Sequence, residues 1–403
     1  MIFMSQLRAS TCQISVSLKP LPPLPELAAS WNDLESRALA SFYTSWSWMG
    51  VWLEMLPAVI RPELLEARLD GRVVGLAIVV RGPGRKLLGM KCCRTWHLHY
   101  TGRPELDVIC PEHNDFLMER GHEAAVRTAM LRHWLDQHHG PAEITLFGIG
   151  EHMLPAGIEN RGKNRFLRKD VALRTYSVDL NPVRDRGGDF LQLLSANSRS
   201  LIRRSMRDYR RHGELSVESA GTVGQALEWF DRLGVLHQRR WESRGQPGSF
   251  SNGFFVEFHR SLISRNMPTG GIQLLRVRAG NHDLAYLYSL VKDGRVYFYQ
   301  SGLDYGIVEK NAHPGLVAHV FAIEHNARLG HHVYDFMAGD SQYKRSLATC
   351  QQEMFWTTLR TVSWHFELHE LTGRLRRMAR TILRSGNTRA RPAGCPLVSD
   401  LNP

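Results

Sequence analysis

The stretch Asp293 to Leu347, DGRVYFYQSGLDYGIVEKNAHPGLVAHVFAIEHNARLGHHVYDFMAGDSQYKRSL, constrains the fold more than any other part of the chain. Asp293-Gly294 is a two-residue turn that tolerates positive φ, so it joins two antiparallel strands, Leu284–Val291 and Arg295–Ser301. His313-Pro314-Gly315 opens a helix, because proline suits a first helical turn where its missing N–H is no loss. Leu316, Val320, Ile323 and Ala327 recur on one face, and Gly330 supplies a left-handed C-cap. Val333–Met337 reads as a buried strand, followed by Gly339-Asp340 and the short polar segment Ser341–Leu347. The helix start offers unpaired N–H groups at the positive end of a dipole, where Gly315 lets an anion approach closely. A plain crossover helix starts in the same way, so the surroundings have to decide.

The hairpin recurs. Leu65–Leu69, Asp70-Gly71 and Val73–Val80 repeat the design of Ile272–Val277, Gly280-Asn281 and Leu284–Val291, which suggests duplication of one α/β unit. A chain of 403 residues accommodates two such units. Around them we expect an extended proline-rich lead over 1–25, a helix starting after Ser30, and an aromatic helix Ser41–Leu53 whose tryptophans face a core. Asp107–Cys110 reads as a short strand, Asp115 to His139 as a helix, and Glu143–Phe147 and Thr175–Leu180 as strands. Asn181–Gly188 is the domain joint. Helices follow near Arg199–Arg211 and over Val223–Arg239, then a flexible loop Gly245–Gly253 and last strands within Met354–Trp364.

The formal net charge of +12 points to anionic partners. Much of it is local. Arg199, Arg203, Arg204, Arg207, Arg210 and Arg211 fall within an arc of roughly 140° on one helix. Arg374, Arg376, Arg377, Arg380, Arg384, Arg389 and Arg391 form a second cluster behind an amphipathic C-terminal pattern suited to docking or to an anionic membrane surface. Apolar runs are too short to span a bilayer, no secretory pattern opens the chain, and the six cysteines form no CxxC pair. These features predict a reduced, cytoplasmic protein, with peripheral attachment to the inner membrane as an option for the basic helix. No HExxH, GxSxG, Walker or dinucleotide pattern is present, so no metal is expected.

The Pro-Gly helix start, VYDFMAGDSQYKRSL, the arginine helix SANSRSLIRRSMRDYRRHGEL and HQRRWESRG together resemble the double-domain GNAT acyltransferases. They resemble especially the bacterial acetyltransferases found beside cellulose and other exopolysaccharide genes, relatives of the Fem-type aminoacyltransferases. WSWMGVWLEM and TGRPELDVICPEHNDFL are similar to that family's first half. The resemblance implies an α/β fold of two tandem GNAT-like domains, each a mixed, partly antiparallel sheet flanked by helices. The layout is 26–185 and 186–370, with 371–403 a basic amphipathic helix and disordered tail. It also implies acetyl-CoA or another acyl-CoA lying in a splay between Arg295–Ser301 and Val333–Met337. Tyr299, Ser301, His313, Pro314, Gly315, Leu316 and Lys344 are its candidate contacts. Tyr343 is the candidate acid, and Asp340 and Asp335 are candidate bases. Arg199, Arg203, Arg207 and Trp241 are candidate substrate contacts. The usual phosphate loop has more glycines than His313-Pro314-Gly315.

The expected activity is acyl transfer to an amine or hydroxyl of a small molecule, a sugar or an envelope or exopolysaccharide precursor. One rival is an aminoacyl-tRNA-dependent ligase acting on a peptidoglycan precursor, which the positive charge also suits. The other is a catalytically silent pair of domains that binds an anionic ligand or membrane surface.

Overall fold

Both residues of each expected Asp-Gly turn have positive φ: 50° and 82° at Asp70-Gly71, and 48° and 74° at Asp293-Gly294. Such turns match the right-handed twist of the strands they join. The structure, a computed structural model, describes residues 13–362 except 88–89, 139, 151–152, 156, 159, 162–163 and 308–311. The basic C-terminal helix and tail expected over 371–403 therefore lie outside the described residues.

The first half runs β1 (Ile14–Pro20), α1 (Leu24–Glu35), α2 (Trp46–Met55), β2 (Pro62–Leu69), β3 (Arg72–Arg81), β4 (Arg85–Leu87), β5 (Met90–Leu98), β6 (Leu117–Met118), α3 (Glu123–Asp136) and β7 (Ala142–Gly150). Then come β8 (Asn160–Arg161) and the long β9 (Asn164–Asp179). The second half runs α4 (Asn181–Asp185), α5 (Ala196–Arg210), β10 (Leu215–Ser219), α6 (Val223–Glu242), α7 (Gly253–Asn266), β11 (Ile272–Ala279), β12 (His282–Lys292), β13 (Arg295–Leu303), α8 (Pro314–Arg328), β14 (Val333–Ala338), α9 (Gln342–Leu347) and β15 (Cys350–Thr361). Strand, two helices, hairpin, strand, helix, strand occurs twice, as the repeated turns suggest.

The main path of the sheet is β1-β2-β3-β5-β7-β15-β9-β14-β13-β12-β11-β10. Its order is a palindrome of the two halves with one exception at the centre. β9, from the first half, pairs with β14 of the second, and β15, from the second, pairs with β7 of the first. β9 and β15 pair with each other from Phe166–Thr361 to Ser177–Cys350. The halves thus exchange their last strands.

One core is shared. Trp31, Trp48 and Trp52 from α1 and α2 pack with Trp229, Phe230, Phe255 and Phe258 from α6 and α7 on one face of the sheet. The aromatic row is core, as its spacing implies. Separate cores lie beneath α8 and α3 on the other face.

Several local expectations are corrected. The lead is not simply extended: Ile14–Pro20 pairs antiparallel with β2. α1 begins at Leu24 with proline in its first turn, before Ser30. Asp107–Ile109 is a 3-10 turn rather than a strand, held by Thr101 N–H and Oγ donating to Asp107, each at 2.8 Å. α3 starts only at Glu123. Gly253 begins a helix unread in the sequence, whose N-cap Asn252 accepts from Phe255 N–H at 3.1 Å.

Candidate active site

β13 and β14 are parallel and pair at Arg295–Val333, Val296–Tyr334 and Tyr297–Asp335, then part. Two local features drive them apart. On β13, Phe298 and Gln300 face the successive residues Ser289 and Tyr288, so Tyr299 is the extra residue of a bulge. On β14, the register against β9 slips between Asp335 and Ala338, and Met337 holds φ of +66°. That conformation is uncommon without glycine. Asp335 supports it, its Oδ1 accepting the Met337 N–H at 2.8 Å.

The parted strands open onto a cavity of about 350 Å³. Tyr299, Ser301, His313, Pro314, Gly315, Leu316, Trp241, Tyr343 and Lys344 line it. The structure therefore brings together the expected strand, helix start and Tyr-Lys segment. No side chain caps the first turn of α8. A Cβ at Gly315 would stand 3.2 Å from Leu303 Cδ1, so glycine keeps this end open. Tyr299 Oη donates to the Ile109 carbonyl at 2.7 Å, which ties β13 to the first half.

Tyr343 stacks on His319 with centroids 5.3 Å apart and planes 5° apart. Burial pushes its phenol well above the usual range, so it stays protonated. Burial likewise lowers His319 to about 3, leaving a neutral ring at working pH. Lys344 is buried, and Nζ donates to the carbonyls of Ala338 at 2.7 Å and Met337 at 3.3 Å. Burial lowers its pKa to about 7.

The two aspartates lie elsewhere. Asp335 is buried outside the cavity lining, with Arg295 at 2.7 Å and His113 Nε2 at 3.0 Å. Despite burial, which raises it, His113 and Arg295 hold its pKa down at about 2. Asp340 is exposed, ion-paired with Arg345 and Arg174 and accepting from Tyr176 Oη at 2.7 Å. Arg203 and Arg207 project from α5 into solvent, and Arg199 is half-buried on the same helix; none lines the cavity. α5 does reach the site through Ser205, whose Oγ accepts the His313 N–H at 3.4 Å.

The sequence reading passed over residues from the other half. Tyr43, Cys110 and Glu112 all line the cavity. Cys110 is disulfide-bonded, whereas Cys350 is a free thiol, which departs from a wholly reduced expectation. At the mouth, Arg240 sits 4.6 Å over the Tyr305 ring, an arrangement stabilised by the ring quadrupole. HQRRW carried a signal for this cluster, since Arg240 adjoins Trp241.

No metal-holding cluster of His, Cys, Asp or Glu occurs among the described residues. No helix among them is long and apolar enough to cross a membrane.

Residues 196–345 match a family model described as an acetyltransferase (GNAT) domain. No curated protein matches the sequence. Among solved structures, the chain is similar to FemX at 10% identity over 88% of this chain and 99% of that one, with a TM-score of 0.55. It is also similar to a conserved protein of unknown function from Bacteroides thetaiotaomicron, at 12% identity over 87% and 100% with a TM-score of 0.51. A third is the C-terminal domain of a putative lysylphosphatidylglycerol synthetase from Agrobacterium fabrum, at 11% identity over 92% and 100% with a TM-score of 0.50. At such identities the likeness concerns the fold. The second half thus carries the match to a GNAT acetyltransferase domain, which supports acyltransferase activity.

Proposed function

We propose that this chain transfers an acyl group from acyl-CoA to an amine or hydroxyl without a covalent enzyme intermediate. The observation that carries the reading is the parting of β13 from β14 beyond Tyr297 and Asp335, on the cavity that the uncapped start of α8 also lines. A pantetheine arm has main-chain partners in such a gap, and a diphosphate fits the open N–H groups at Gly315. The bulge at Tyr299 supplies a backbone donor for the thioester oxygen, where charge develops. Tyr343, kept protonated, donates to the departing thiolate.

For the acceptor we propose a sugar or another envelope or exopolysaccharide precursor, entering past Trp241, Arg240 and Tyr305. The arginine face of α5 then guides anionic ligands towards the mouth, and Arg199, Arg203 and Arg207 act from outside the cavity rather than within it. A second reading has one observation in its favour. The formal net charge of +12 suits an aminoacyl-tRNA donor.

Thermal unfolding with each donor separates the two. Acetyl-CoA raising Tm where aminoacyl-tRNA does not supports acyl-CoA; a salt-sensitive response to tRNA alone supports the second reading.

A further inference from the structure

We propose that Glu112, carried into the cavity from the first half, accepts the proton of the attacking acceptor, so that the reaction uses a residue from each half. This rests on the acyl-transfer reading above. Glu112 is the one carboxylate among the described residues lining the cavity, whose walls also include Tyr343, Tyr299 and Lys344. Asp335 is engaged by three partners and Asp340 faces solvent, so neither reaches a substrate in the cavity.

Its position follows from the parted strand. Leaving β13 frees the backbone of β14, and Glu112 Oε2 accepts the Ala338 N–H at 2.7 Å while Lys344 donates to the Met337 and Ala338 carbonyls. One carboxylate oxygen is thereby anchored at the strand end. The groups whose charge acts on Glu112 are Lys344 on α9, the adjacent His113, and Asp335 on β14; Glu112 in turn acts on Tyr43 and Tyr100. Burial raises the carboxyl above its ordinary value.

In the step, the acceptor nitrogen or oxygen forms a bond to the thioester carbonyl carbon, and the carbon–sulfur bond breaks. The acceptor proton passes to Glu112, and the thiolate takes the Tyr343 proton. Glu112 then loses its proton to solvent and Tyr343 regains one.

The test uses the full chain with acetyl-CoA as donor and water or glucosamine as acceptor probe, following thiol release from pH 5 to 9. Acetyl-CoA affinity and Tm are measured in parallel. Glu112→Gln keeps an oxygen for the Ala338 N–H but cannot take a proton. It is expected to bind acetyl-CoA within threefold of wild type and to lose about 10²- to 10⁴-fold in rate, with the acidic limb of the pH profile abolished. Glu112→Asp restores part of the rate and keeps the limb, which guards against a folding defect in Glu112→Gln. Lys344→Gln removes a neighbouring cation and shifts the limb to higher pH. Glu112→Gln working within threefold of wild type with an unchanged limb overturns the assignment. So does a wild type that binds acetyl-CoA yet releases no thiol with either probe. A wild type that does not bind acetyl-CoA overturns the donor reading, and the role of Glu112 falls with it.

Discussion

Tyr343 and His319 lie nearly parallel, ring on ring, where the second splayed strand gives way to α9. The stack fixes the phenol without using its hydroxyl. Tyr343→Phe should therefore keep Tm and acetyl-CoA affinity while lowering kcat about 10²- to 10³-fold, within the range for loss of a positioned acid. A kcat within threefold of wild type would assign the phenol a packing role only. Because His319 titrates at about 3, no limb of the pH profile above pH 5 should come from it.

Asp335 serves structure. Its pKa falls from 3.8 to about 2 on folding, so it adds stability at pH values above its unfolded pKa, and that stability is lost as pH falls through the folded one. The shift corresponds to roughly 2 kcal/mol. Wild-type Tm should drop between pH 4 and 2, and Asp335→Asn should flatten that drop. Asp335→Ala, which leaves Arg295 and His113 without their shared carboxylate, should destabilise by about 3 kcal/mol at pH 7, measured by denaturant unfolding.

Gly315 has a narrower task. Gly315→Ala places a methyl 3.2 Å from Leu303 Cδ1 at the helix start proposed to hold the diphosphate. Calorimetry should show acetyl-CoA affinity falling about tenfold, near 1.4 kcal/mol. Stability should stay level or rise by up to about 1 kcal/mol, since alanine suits a helix.

Asp340 provides the contrast. Exposed, and held by Arg345, Arg174 and Tyr176, it should tolerate Asp340→Asn with kcat/KM within about twofold of wild type, as surface ion pairs contribute about 0–1 kcal/mol. A hundredfold loss would return it to the reaction.

What the sequence revealed and concealed follows the range of the forces involved. The Asp-Gly turns, the β13–α8–β14 unit and the buried tryptophans are legible because φ preference, helix-start chemistry and apolar spacing are local. α7 was legible too, from Asn252 followed by Phe255, Phe258 and Leu262, but the glycines around it drew the eye to a loop. Glu112 was not. Its partner Ala338 stands 226 positions away, and no periodicity links them. The resemblance to GNAT acyltransferases offers Asp335 and Asp340 as bases, whereas burial among cations and exposure to solvent are properties of the folded surroundings.

The crossing of β9 and β15 bears on how the chain is made. Arg360, on the last described strand, donates to Glu143, 217 positions earlier. On the ribosome, β7 must wait with an open edge until β15 has emerged, a long interval for exposed strand backbone. Maturation of the first half is therefore set by when β15 arrives, and nascent chains stalled before Cys350 should depend on chaperones until synthesis resumes.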